Sequence, residues 1–303
     1  MLWFPLALLG YFLLAIAFIL DKFILTKSVR EPAVYAFYST IFLFGVLLAW
    51  PFGVELLATG FDWAMAVFSG VTFGFALWTL YIAVKGGEAT HVNPFNGAIV
   101  TAATFVLSSA FLAESLTELQ IAGVVILLFA SVLLMFEKSF SHSGFHIGFL
   151  WAALSGVLFA MSHVSAKYLY EVYSFLTGFV WSRAAIGLVG LFLLAHPAVW
   201  RSFKRKKDEE PRASAKRYAV PIVVANKALG LAAVILVQYA AAIGFVTLVV
   251  ALSGIQYVLM FVLAYVLTKT APKFFQEYFT KRELAVQVVA ILLVAIGSAM
   301  LVL

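Results

Sequence analysis

Two cations stand inside stretches that otherwise read as membrane span: Arg183 in FVWSRAAIGLVG (179–190) and Lys227 in VVANKALGL (223–231). A charged side chain at bilayer depth costs roughly 2.5–3.5 kcal/mol on insertion scales, so it needs a partner or a task. The chemistry open to this pair is capture of a negatively charged group. Lys227, Leu231, Val234 and Gln238 fall on one helical stripe, and two polar groups on one face indicate a water-lined surface. Asn226 points about 100° away from that stripe and reads as a helix contact. His163 shares a face with Gly156, Ala160 and Lys167; it suits a hydrogen-bonded packing role or, by its titration range, proton traffic. VNPFNG (92–97) places Asn93 and Asn96 around Pro94, and LSGIQY (252–257) places Ser253, Gly254 and Gln256 at the corresponding points of a later span. Interrupted helices at matching places in two halves of a chain point to a transport site. Trp78, Tyr81, Tyr239 and Tyr257 are candidates for lining the same space.

Each residue also has a plainer reading. Arg183 lies on the face of Gly187 and Gly190, where small residues admit a neighbouring backbone. There it could serve helix-end carbonyls, in which case Arg183→Gln would cost stability more than activity. The Lys227 stem could snorkel to the surface. Lys22 and Lys167 stand at span ends, as anchors do. Glu114 and Glu277 each precede a new span, where a carboxylate favours a helix N-terminus.

The elements that must hold these groups are membrane helices. The 303 residues are 64% hydrophobic and 11% charged, with mean hydropathy +1.06, more apolar surface than a water-soluble domain can hide. Apolar runs of span length fall at about 3–23, 33–52, 63–84, 89–112, 116–136, 147–169, 174–195, 218–242, 245–268 and 283–303. Pro221 reads as opening the eighth. The first run lacks a basic n-region and a cleavage site and reads as a span rather than a signal peptide. RSFKRKKDEEPRASAKR (201–217) is the one real linker. The formal charge of +6 gathers there, beside membrane spans, which makes it a topology signal and not a nucleic-acid footprint. Cysteine is absent, which excludes disulfides, thiolate catalysis and cysteine metal sites.

The halves resemble each other. LDKFIL around Lys22 corresponds to SAKYLY around Lys167, FYST (37–40) to VWSR (180–183), YIAVKGG (81–87) to YAAAIGF (239–245), and FLAESLT (111–117) to FFQEYFT (274–280). The common order predicts a first five-helix repeat over 1–136, a connector at 137–146 and a second repeat over 147–303. An odd number of spans per repeat inverts the second copy, a plan common among secondary transporters. All basic residues except Lys167, Arg183 and Lys227 lie in or beside the loops after spans 1, 3, 5, 7 and 9. By the positive-inside rule those loops are cytoplasmic and both termini are outside.

At this point the chain resembles the drug/metabolite transporter superfamily, specifically its EamA-type ten-helix members. The likeness rests on AVKGGEATHVNPFNGAIVTAATFVLSSAFLAESLT (83–117), with its alanine run, proline-containing fourth helix and closing glutamate-x-x-threonine, and on the WSR of 181–183. It implies an inner-membrane carrier whose cavity is lined mainly by spans 1, 3, 4, 6, 8 and 9, with spans 5 and 10 outside. Thr40 stands where the first repeat of such proteins often has arginine, and many relatives keep their termini inside.

The expected protein is therefore an all-α integral membrane protein, a carrier that moves a small anionic or zwitterionic metabolite by alternating access. The substrate-binding candidates are Lys227, Gln238, Asn93, Asn96, Gln256, Tyr257, His163, Arg183, Trp78 and Tyr81. No catalytic residue, metal, cofactor or nucleic-acid partner is expected; lipids and a small-molecule substrate are, with the chain acting as a monomer. A retinal protein would need a membrane carboxylate near its lysine, and an enzyme a nucleophile–base or metal cluster; no Asp or Glu falls mid-span. That absence also weakens a proton-coupled multidrug exporter. A lipid or headgroup flippase stays as the alternative.

Overall fold

A computed structural model of the protein describes residues 2–27, 31–86, 89–135, 147–204, 213–270 and 281–303. Among these residues the fold is all-helical. Eight helical segments are long and apolar enough to cross a membrane: Trp3–Leu20, Pro32–Phe52, Gly60–Lys85, Val92–Phe111, Gly148–Val172, Phe175–Leu194, Val224–Ile243 and Val246–Thr270. Where the sequence predicts spans five and ten, the apolar helices Glu118–Leu133 and Val288–Met300 are shorter.

The helices are α1 (Trp3–Lys27), α2 (Pro32–Ile41), α3 (Gly60–Gly86), α4 (Ala89–Phe111), α5 (Glu118–Met135), α6 (Ile147–Val172), α7 (Phe175–Leu194), α8 (Pro197–Lys204), α9 (Ala213–Ile243), α10 (Val246–Ala251), α11 (Ser253–Thr270) and α12 (Lys281–Met300). Pro32 opens α2, where its missing N–H costs nothing. From Phe42 to Phe52 the same segment tightens into a 3-10 helix, which ends at left-handed Gly53. Ser174 caps α7 by accepting the Thr177 N–H at 3.3 Å.

Several local expectations change. Pro221 does not open its helix: α9 begins at Ala213, inside the expected linker, so the proline lies within it. α8 takes the other end of that linker and exposes Trp200 and Phe203, as a helix lying in a membrane interface does. Pro94 does not interrupt α4, because near a helix start it removes only one internal bond. The corresponding segment of the second half does break, at Leu252 between α10 and α11.

The helices pack in reciprocal pairs. α3 lies on α6 and α9 on α1; α4 lies on α6 and α11 on α1; α2 meets α7, and α5 meets α12. Close approach uses small residues, since lipid supplies no hydrophobic drive between helices. A Cβ at Gly74 of α3 would come 2.6 Å from Val189 of α7, and one at Gly190 of α7 would come 2.7 Å from Ile41 of α2. Glu114 joins the halves at one end of the bundle. Ala113, at φ 52°, turns the chain, and the buried Glu114 carboxylate accepts N–H bonds from Val246 (2.7 Å) and Thr247 (3.4 Å) at the start of α10. It caps a helix as the sequence suggests, but one across the molecule rather than its neighbour. Glu277, FFQEYFT and the Lys22 side chain lie outside the described residues.

Candidate functional site

These pairings leave a cavity of about 620 Å³ in the middle of the bundle. Its wall includes the expected spans 1, 3, 4, 6, 8 and 9, but also α2 with its 3-10 extension (Ser39, Phe42, Gly45) and α7 (Phe179, Arg183, Ile186). Spans 2 and 7 are therefore additions to the expected wall. Arg183 marks span 7 in the sequence, whereas span 2 is marked only by the correspondence of FYST with VWSR. α5 and α12 contribute no described residue to the lining.

Of the ten candidates, nine meet on this cavity: Lys227, Gln238, Asn93, Asn96, Gln256, Tyr257, His163, Arg183 and Tyr81. Trp78 does not line it. Its ring packs against Phe75 and His196 in an apolar cluster, on a different side of α3 from the lining residues Leu77, Leu80 and Tyr81. Tyr239 also stands off, against Phe175. Asn226, read as a helix contact, does reach the lining.

The polar groups form two stations. In the first, Arg183 of α7 is 3% exposed and sits over the Phe73 ring at 4.6 Å and the Phe179 ring at 5.6 Å. Its Nε and Nη2 have no hydrogen-bond partner among the described residues, so the expected helix-end carbonyls are not their partners. Beside it, His163 stacks parallel to Phe159 and meets Phe73 edge-on. His163 Nδ1 lies 3.3 Å from Gln238 Nε2, and the Tyr170 hydroxyl donates to Gln238 Oε1 at 3.0 Å. An amide NH₂ only donates, so Nδ1 is the acceptor in this pair. His163 is thus hydrogen-bonded in place as well as cavity-lining.

The second station lies at Lys227 of α9. Its Nζ is 3.3 Å from Ser39 Oγ and 3.4 Å from the Tyr35 hydroxyl, and 4.8 Å from the Tyr35 ring centre. The Tyr81 hydroxyl reaches Ser39 Oγ at 3.4 Å. On the remaining walls, the Asn96 amide donates to the Ala152 carbonyl at 2.8 Å and so braces α4 on α6. The Tyr257 ring lies against Gly97, where a Cβ would collide with it. No Asp or Glu occurs among the described lining residues.

Around the cavity one seam is packed and its counterpart is not. α3 runs along α7, whereas α2 and α9 share no comparable seam. A Cβ at Gly45 or at Gly230, both on the lining, would meet nothing within 4 Å. Beyond one end of the cavity, Asp62 accepts from the Tyr168 and Tyr173 hydroxyls at 2.8 and 2.7 Å, pinning the 53–59 loop over α6 and α7. The hydrogen bond to this carboxylate pushes the Tyr173 hydroxyl pKa above its ordinary value. Lys167 donates to the Ala242 and Gly244 carbonyls at 3.1 and 3.0 Å and anchors the end of α9, as its place at a span end suggests.

No family model and no curated protein matches the chain. Among solved structures, 28 chains match. One, described as "Crystal structure of protein", is 19% identical and covers 99% of this chain and 98% of its own length, with a TM-score of 0.66. At that identity the likeness concerns the fold. What the fold and cavity define together is a multi-pass helical membrane protein with a central chamber.

Proposed function

We propose that the protein is a carrier for a small anionic metabolite, built as ten spans in two inverted repeats of the EamA-type plan in a cell inner membrane. The observation that carries the reading is the charge of the chamber: Arg183 and Lys227 line it, and no described carboxylate does. A cavity with that balance favours negative cargo and disfavours the cationic drugs that intramembrane acids serve. Reciprocal packing supports the duplication, since exchanging the halves turns α3 on α6 into α9 on α1 and leaves α2 on α7 and α5 on α12 unchanged. The packed α3–α7 seam and the open α2–α9 seam are what one state of an alternating-access carrier would present. Binding without proton coupling suits a chamber with no Asp or Glu among its described lining residues. Lys227→Gln tests the reading: flux in proteoliposomes falls strongly while the detergent melting temperature holds. Wild-type flux from that variant would mean that the lysine only snorkels.

A second reading, a lipid or headgroup flippase, draws on the open α2–α9 seam and the apolar walls beside it. Lipid-flip assays on the same proteoliposomes separate the two.

A further inference from the structure

The two nitrogens of Arg183 that lack a partner are Nε and Nη2. They form one edge of the guanidinium, where two parallel N–H groups match both oxygens of a single carboxylate. The Phe73 and Phe179 rings lie close to its carbon at 4.6 and 5.6 Å and offer no acceptor lone pair to this edge. A charged donor pair buried to 3% exposure and left unserved is costly. It is sustainable where cargo supplies the acceptor.

Lys227 provides the second pole, and α9 provides the ruler. Gln238 belongs to the Arg183 station through His163, and Lys227 lies about three turns earlier on the same helix, a rise of about 16 Å. Between them α9 offers the cavity only Gly230, Leu231, Val234 and Val237. The chamber is cationic at both ends and apolar along this wall.

We infer that the cargo is a two-headed anion, an α,ω-dicarboxylate. One carboxylate takes the Nε/Nη2 edge of Arg183, the methylene chain lies along Leu231 and Val234, and the second carboxylate meets Lys227. This rests on the anion-carrier reading and narrows it. A zwitterionic head is disfavoured, because no described lining carboxylate receives an ammonium. With the rise along α9 taken as the measure of the separation of the two stations, and about 3 Å of hydrogen-bonded contact at each end, about 10 Å remains between the two carboxyl groups. Succinate is too short for that span; suberate and sebacate fit it.

The test is calorimetric binding to the purified full chain of succinate, adipate, suberate, sebacate and dodecanedioate, with octanoate and decanoate as single-headed controls. Affinity should peak at suberate or sebacate, and sebacate should bind at least about tenfold tighter than decanoate. Arg183→Lys keeps the charge and loses the fork, so sebacate should weaken by about tenfold or more. Lys227→Gln, at an exposed position and with its fold checked by melting temperature, should erase the preference of sebacate over decanoate. Decanoate equal to sebacate in the wild type overturns the inference, as does a wild-type affinity in Arg183→Lys. If succinate binds best, the separation read along α9 is wrong; if octanoate or decanoate binds best, the two-headed cargo is wrong and the anion carrier stands. If no carboxylate binds and none is transported, both readings fall.

Discussion

Replacing Glu114 by alanine removes the tie that holds the α4–α5 turn to the start of α10. The carboxylate accepts three bonds: Val246 N–H at 2.7 Å, the Thr247 hydroxyl at 3.0 Å and Thr247 N–H at 3.4 Å. Glu114 is 8% exposed and Thr247 fully buried, so water does not readily replace what is lost. The Thr247 hydroxyl keeps its 2.6 Å bond to Ser108, which leaves the Val246 and Thr247 amides as the main casualties. Loss of a helix cap costs about 1 kcal/mol, and a hydrogen bond to a charged group about 1.5–3 kcal/mol. The expected total is therefore about 3 kcal/mol, a fall of about 5–10 °C in melting temperature for a chain of this size. Glu114→Gln retains one acceptor and should lose about half as much. The exposed Glu118 is the control, and Glu118→Gln should melt like the wild type. The measurement is thermal unfolding in detergent. The loss should also reach the cavity, because α10 carries Val250 on its lining and accepts the Tyr11 hydroxyl at Val249. Glu114→Ala melting with the wild type would refute the cap.

Other expectations follow from the same geometry. Gly74→Leu drives a side chain into Val189 and should destabilise by about 1–3 kcal/mol, whereas Gly230→Leu should fold normally and block flux by filling the α2–α9 seam; melting and proteoliposome uptake on both variants check this. Arg183→Gln should abolish flux and cost the fold only its contacts with the Phe73 and Phe179 rings, about 1–2 kcal/mol in the melting experiment, since Nε and Nη2 lose no protein partner. Reporter fusions after residue 207 should read cytoplasmic and fusions at Leu303 external; a cytoplasmic C-terminus would contradict the orientation.

Hydropathy located the apolar helices because span length and composition are one-dimensional properties. The Lys227–Leu231–Val234–Gln238 stripe was equally legible, since helical spacing alone brings those residues to one wall. Trp78 was not, because an aromatic ring reads alike on a cavity or in packing. The 3-10 stretch from Phe42 and the start of α9 at Ala213 escaped detection: an apolar run does not report its hydrogen-bond register, and a charged linker hides a helix start. The environment of Arg183 depends on Phe73, more than a hundred residues away in sequence, and the reach of Glu114 to α10 depends on contacts between halves. Neither relation has a local signature. Ser39 lies inside the FYST motif yet carries no signal of its own, its value set by the Lys227 ammonium that α9 brings to it.

The most direct test of the anion-carrier account is counterflow in proteoliposomes of the wild-type protein, with labelled carboxylates outside and unlabelled carboxylates inside. Saturable carboxylate exchange that needs no imposed proton gradient is the result expected from a chamber holding Arg183 and Lys227. Absence of carboxylate exchange, with proton-driven movement of a cationic drug or with lipid flipping in its place, would contradict the account.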